Sequence, residues 1–404
     1  MASYRALLSD RRFLSYFASQ ISGDSGYAVY AISVIWLALE ISGSLFIAGL
    51  VLAVEFAIYS LSFAIGPFVD RVRNLRSVLL IGYPLQAALA LTLAGLEYAH
   101  ELTVPGLLVL VVVISFVWDF TWTATNAIPP KIVGPDALFR ANGLTSAVSG
   151  GNQIAGYAAG AALILVVGPA GGAVLYGILN LVAAGFAVGV SAPQGARVAT
   201  SFRTDFVEGW KHVLGGVQRP LLQLSSFSAA QAFFSSAPVL LIALAASTEF
   251  SHPAESYGIL FTAFAIGGVV GGITLGQLNP RRHLGWIWIG ASITEGGLIV
   301  LAVLVAPQLI ESIGTWFLVG LIDVAFYQVL MVFFQATTPA PLLARTLTNT
   351  YVFRGSSRSA GALVVGALAL TLSVPALGGV VGSVFIGVGL IGLVALPVVR
   401  RMRF

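Results

Sequence analysis

Five carboxylates and two arginines sit where so apolar a sequence has least reason to place them. Asp24, Glu55, Asp119, Glu295 and Asp323 each fall deep inside a long hydrophobic run, and Arg354 and Arg358 share another. A charge at the centre of a bilayer costs about 3 kcal/mol or more, so such groups face a cavity or a partner. A carboxylic acid withdrawn from water also keeps its proton to higher pH, as a proton-coupled carrier requires. Counted from the inner end of each run at about 1.5 Å per residue, Asp24, Asp119 and Asp323 lie roughly 15–21 Å deep. That is near the middle of a hydrocarbon core about 30 Å thick. Arg354 and Arg358 lie roughly 13 and 19 Å in. Arg358 therefore reaches the depth of Asp323 on the adjacent run, and the two are expected to pair or share a wet pocket. Arg354 can snorkel to the inner interface.

The elements that must carry these groups are membrane helices. With 58% apolar and 9% charged residues and a mean hydropathy of +0.94, the 404-residue chain is no ordinary soluble domain. A span needs about 20 apolar residues. Twelve runs qualify, near 13–39, 44–69, 77–96, 104–127, 139–167, 170–193, 220–247, 255–277, 284–306, 312–337, 346–372 and 377–399. The first is too long for the core of a cleavable signal peptide, and none is expected. Outside the spans, the basic residues cluster in alternate connections: Arg71 and Arg76 after the second run, Lys131 and Arg140 after the fourth, Arg281 and Arg282 after the eighth. The intervening loops hold acids, His or no charge. Loops rich in Lys and Arg stay cytoplasmic, which places both termini inside. The same topology, with Arg beside anionic lipid headgroups, accounts for the net charge of +4 without nucleic acid. The absence of Cys excludes disulfides and thiolate metal sites.

An internal repeat divides the chain. Arg140 is followed by Gly150 and Gly156, and Arg345 by Gly355 and Gly361 at the same spacings, 205 positions on. The same offset carries Asn74 and Arg76 onto Asn279 and Arg281. Residues 1–193 and 219–404 are thus expected to form two pseudo-symmetric six-helix bundles. Between them lies the cytoplasmic linker 194–218, with an amphipathic helix near 203–214. Such repeats place the substrate path between the halves, near mid-bilayer.

Two six-span halves with a cytoplasmic linker resemble the major facilitator superfamily. The loop GPFVDRVRNLR, 66–76, is similar to its loop 2–3 motif through Gly66, Asp70 and Arg71. Arg73 stands where the motif has its next Gly, and Arg76 alone represents its closing basic cluster. LLSDRRF, GDSGYAVYAISVIWLALEISGS, PDALFRANGLTS and EGWKHVLGGVQRPLL resemble the branch of macrolide-efflux and enterobactin-exporter-like proteins. SGGNQIAGYAAGAAL departs from the antiporters, having Tyr157 where they often carry Pro.

The resemblance implies an all-α membrane protein in which spans one, four, seven and ten line a central cavity. Asp24, Asp119 and Asp323 belong to three of these spans. With Glu55 and Arg358 they are the candidates for proton coupling or substrate contact. Trp118, Trp122, Gln223, Gln231, Phe234, Tyr327 and Gln328 are expected to shape the cavity. Asp70, Arg71 and Arg76 are expected to gate, with Arg354 as partner to Asp70. Trp288 and Trp316 are expected to anchor at the membrane interface.

The implied activity is secondary transport by alternating access at the cell membrane. It is proton-coupled efflux of an amphipathic or lipophilic molecule by a monomer that needs no cofactor. A lysophospholipid flippase or siderophore exporter is the alternative, and a ferroportin-like metal exporter or a scaffold a weaker one. Transition metals prefer His or Cys ligands, and no span has either. GDSG at 23–26 lies in a span without a His partner. With no HExxH, CxxC or P-loop pattern, nothing points to an enzyme or a primary pump.

Overall fold

The computed structural model describes residues 4–72, 74–133, 168–190, 219–278, 283–337 and 340–394, with parts of 141–167. Within helices, the side chains of 63, 66, 67, 70, 219–225, 276–278, 327, 328, 331–337 and 340–351 are outside that description, as are those of residues 4–6. The linker 194–218, Gly150, Tyr157 and Arg140 also fall outside the described residues.

The fold is all-helical. Backbone amides and carbonyls have no water to bond in hydrocarbon, so each spanning segment must satisfy them internally, as helices do. Among the described residues, nine helices are long and apolar enough to cross a membrane. We number the helices α1 (Arg11–Ser42), α2 (Leu45–Ser60), α3 (Ser62–Asp70), α4 (Leu75–Tyr98), α5 (Val104–Asn126), α6 (Pro169–Ala187), α7 (Arg219–Phe234), α8 (Ala237–Glu249), α9 (Pro253–Leu278), α10 (Leu284–Leu304), α11 (Leu309–Thr337), α12 (Ala340–Leu368) and α13 (Val374–Val394). Polar caps start three of them: Asp10 Oδ1 accepts from the Arg12 amide, Asn74 Oδ1 from the Arg76 amide, and Thr103 Oγ1 from the Gly106 amide.

Two runs read as continuous are broken. The second divides at Leu61 into α2 and α3, where Ser60 Oγ donates to the Phe56 carbonyl and competes with the backbone ladder. The seventh divides at Ser235–Ser236, because Pro238 has no amide to bond the Phe234 carbonyl.

Two compact units result, residues 1–37 with 61–209 and residues 38–60 with 210–404. In the first, α4 packs on α5 and α6, and α3 on α5. In the second, α9 packs on α11, α10 on α11 and α13, and α12 on α7 and α2. The grouping of α2 with the C-terminal unit comes from close backbone approach. A Cβ at Gly49 would lie 2.7 Å from the Ala362 carbonyl oxygen. Small residues let membrane helices approach in this way.

The two units repeat the same contacts. A Cβ on Gly156 would lie 2.6 Å from Ala28 Cβ, and one on Gly361 would overlap the Phe233 carbonyl. A Cβ on Gly177 would press on Leu91, and one on Gly382 would meet the Gly296 carbonyl. Each residue of the first pair in these comparisons lies 205 positions before its counterpart. The repeat is therefore a property of the packing as well as of the sequence.

Candidate functional site

In the N-terminal unit, one face of α5 presents Trp118, Thr121, Trp122 and Thr125 at helical spacing. These four residues, Gly23 and Asp24 of α1 and Tyr83 of α4 line a small cleft. Asp24 is half-buried. The hydroxyls of Tyr16 and Tyr83 lie in its field. Gly23 admits the Tyr83 ring, which a Cβ there would meet at 2.8 Å.

Above Asp24, Tyr27 stacks on Trp118 with centroids 4.1 Å apart and planes at 19°, and Trp118 stacks on Trp122 at 5.9 Å. Tyr30 continues the aromatic wall by stacking on Tyr176 at 5.0 Å. Hydrogen bonds fix that wall from behind. Gln86 Nε2 donates to Thr121 Oγ1 at 3.1 Å, and Tyr176 donates to Gln86 Oε1. An acid beside stacked ring faces suits a flat apolar group that carries positive charge.

Asp119 points elsewhere. It is fully buried, with Oδ1 accepting from Ser62 Oγ of α3 at 2.7 Å and Oδ2 without a hydrogen-bond partner among the described residues. One position along the helix from Trp118, it has rotated about 100° out of the pocket.

In the C-terminal unit, the charged groups converge. Arg354 and Arg358 lie one turn apart on α12. Arg358 sits over the Phe56 ring of α2, 4.0 Å from its centroid. Arg354 donates to Ser228 Oγ of α7 at 2.6 Å, a polar partner inside the helical unit. Asp323 of α11 is half-buried and lies in the field of both arginines, with Arg358 acting the more strongly. Glu295 of α10 is completely buried and interacts with Asp323. Glu55 is buried on α2, beside Phe56.

Other expected cavity residues are placed differently. Gln231 is buried and its side-chain oxygen accepts from the Trp288 indole at 2.9 Å. Trp288 and Trp316, expected as interface anchors, are instead fully buried. Trp288 is held by Gln231 and an edge-on contact with Phe227 at 5.0 Å between centroids. Phe234 is half-buried at the end of α7, against Phe233. The side chains of Gln223, Tyr327, Gln328 and Asp70 lie outside the described residues. Arg71 and Arg76 are half-buried at the α3–α4 connection.

Sequence reading missed Gly23, Tyr83, Thr121 and Thr125 as pocket residues and Tyr27 as part of the aromatic wall, and left Glu295 aside on an outer span. The available signal was spacing. Tyr27 follows Asp24 by three residues, and the two threonines interleave with Trp118 and Trp122.

Helices that bury carboxylates and arginines at mid-span, in two units with one packing scheme, define a membrane carrier rather than a scaffold. Residues 13–362 match the model of the Major Facilitator Superfamily, and the chain belongs to that superfamily. It is a transport protein and not an enzyme. The uncharacterized MFS-type transporter YfmI of Bacillus subtilis (strain 168) is 24% identical over 300 residues, covering 72% of this chain and 73% of its own. The fold is similar to that of a peptide transporter solved with alafosfalin (TM-score 0.72, 14% identity, 96% of this chain and 95% of that one). It is also similar to the nucleoside transporter NupG (TM-score 0.70, 12% identity, 96% and 99%). A third such structure is a bacterial homologue of the human lysosomal transporter Spinster (TM-score 0.68, 14% identity, 97% and 96%).

Proposed function

We propose that the chain is a proton-coupled exporter of amphipathic small molecules, in the branch of macrolide-efflux and enterobactin-exporter-like proteins. It works by alternating access as a monomer in the cell membrane, with both termini cytoplasmic. The halves 1–193 and 219–404 move about the linker, and Asp70, Arg71 and Arg76 gate the inner side. The observation that carries this reading is the N-terminal pocket, where Asp24 lies beside Trp118 and Trp122. Ring faces bind the apolar body of a solute without fixing its identity, and the carboxylate adds a preference for a cationic end. Coupling falls to the membrane-buried acids Asp24, Asp119, Asp323 and Glu55, with Arg358 as the countercharge.

Binding to the purified protein tests the pocket. Ethidium, a flat lipophilic cation, is expected to bind more tightly than phenanthridine, its uncharged ring system. Asp24→Asn should weaken ethidium about tenfold, equivalent to about 1.4 kcal/mol, and leave phenanthridine unchanged. Equal affinity for both probes, or an unaffected Asp24→Asn variant, contradicts the assignment.

A further inference from the structure

We propose that Glu295 and Asp323 form a proton-holding pair, in which Glu295 stores the proton and Asp323 exchanges it with water. The proposal rests on the proton-coupled reading above and assigns its carrier. Glu295 has no solvent exposure, and among the described residues the group that acts on its carboxyl is Asp323, itself an acid. A carboxylate cannot be held there without a donor or a cation, whereas a neutral acid can.

The helices around Glu295 supply no cation. α13 has no titratable residue, and α8 has only Glu249, its last. α10 itself has no other charged group, and α11 contributes Glu311 in its first turn and Asp323. The cations act on Asp323 instead: Arg358 and Arg354 of α12, with Arg345 outside the described side chains. α9, also packed on α11, adds Glu255 in its first turn and the buried phenol of Tyr257, neither of them a cation. Two adjacent carboxyl groups do not both ionise readily, so the pair titrates as a unit. The arginines keep the negative charge on Asp323, which leaves the proton on Glu295.

Access follows the same order. Asp323 is half-buried and Glu295 is not exposed at all, so in the proposed route the proton reaches Glu295 through Asp323 and returns the same way. Only O–H bonds are made and broken. Packing does not demand the acid, because the repeat places Ala90 in the N-terminal unit where Glu295 stands in the C-terminal one, and Ala90 is equally buried.

Infrared spectroscopy of the wild-type protein at neutral pH should show a protonated-carboxyl stretch that Glu295→Gln lacks. Asp323→Asn should keep it. A spectrum unchanged by Glu295→Gln overturns the pair. In proteoliposomes, Glu295→Gln should lose about tenfold or more of ethidium accumulation driven by a pH gradient, while ethidium exchange without a gradient stays within about twofold. Loss of exchange at native thermal stability, or retained gradient-driven accumulation, also overturns it. If the infrared band behaves as expected but wild-type flux ignores the gradient, it is proton coupling that fails.

Discussion

Arg358 is the hinge of the C-terminal charge cluster. Its guanidinium lies over the Phe56 ring and provides the stronger of two positive fields at Asp323, on which the Glu295 carboxyl also acts. Removing one of two opposite charges withdrawn from bulk water leaves the other uncompensated, which costs more than their attraction contributes. Arg358→Ala is therefore expected to lower transport about tenfold or more, and Asp323→Asn in that background to restore part of it. Full transport by the single variant contradicts the pairing. The charged residues themselves were legible in the sequence, because an ionisable side chain in hydrocarbon is conspicuous by type alone. Their neighbours were not. Nothing in the spacing of α10 says that Glu295 turns towards Asp323, and nothing in α5 alone says that Asp119 is taken by Ser62.

At the scale of elements, glycines set how closely the helices approach. A Cβ at Gly361 would collide with the Phe233 carbonyl of α7, whereas one at Gly387 would meet nothing within 4 Å. Overpacking of this kind costs about 1–3 kcal/mol. Gly361→Ala should thus lower the melting temperature in detergent by several degrees, and Gly387→Ala should leave it unchanged. Equal melting temperatures for the two variants contradict the packing. Span positions were readable from hydropathy, since bilayer thickness fixes helix length. Helix faces were harder to read. Lipid is as apolar as a helical core, so a buried and a lipid-facing side chain can look alike. Trp288 and Trp316 illustrate this: an amphipathic ring in a span suits a membrane interface, yet both are buried among helices.

At the scale of the whole molecule, two units share a scaffold and differ in chemistry. The repeat sets Trp118, a wall of the N-terminal pocket, against Asp323 in the C-terminal cluster, and Ala90 against Glu295. The scaffold was partly legible because paired glycines recur at a single offset, and one of those pairs, Gly156 and Gly361, makes equivalent contacts in the two units. The division of labour was not legible, since it depends on which helix faces meet within each unit. Aromatic faces and an acid stand in one unit, and paired acids with arginines in the other. The most direct test is ethidium transport by the protein in proteoliposomes under an imposed pH gradient. Expected is accumulation that follows the gradient and is reduced in Asp24→Asn, Asp119→Asn and Asp323→Asn. Flux insensitive to the gradient, with unchanged rates in all three variants, contradicts proton-coupled export and leaves a uniporter.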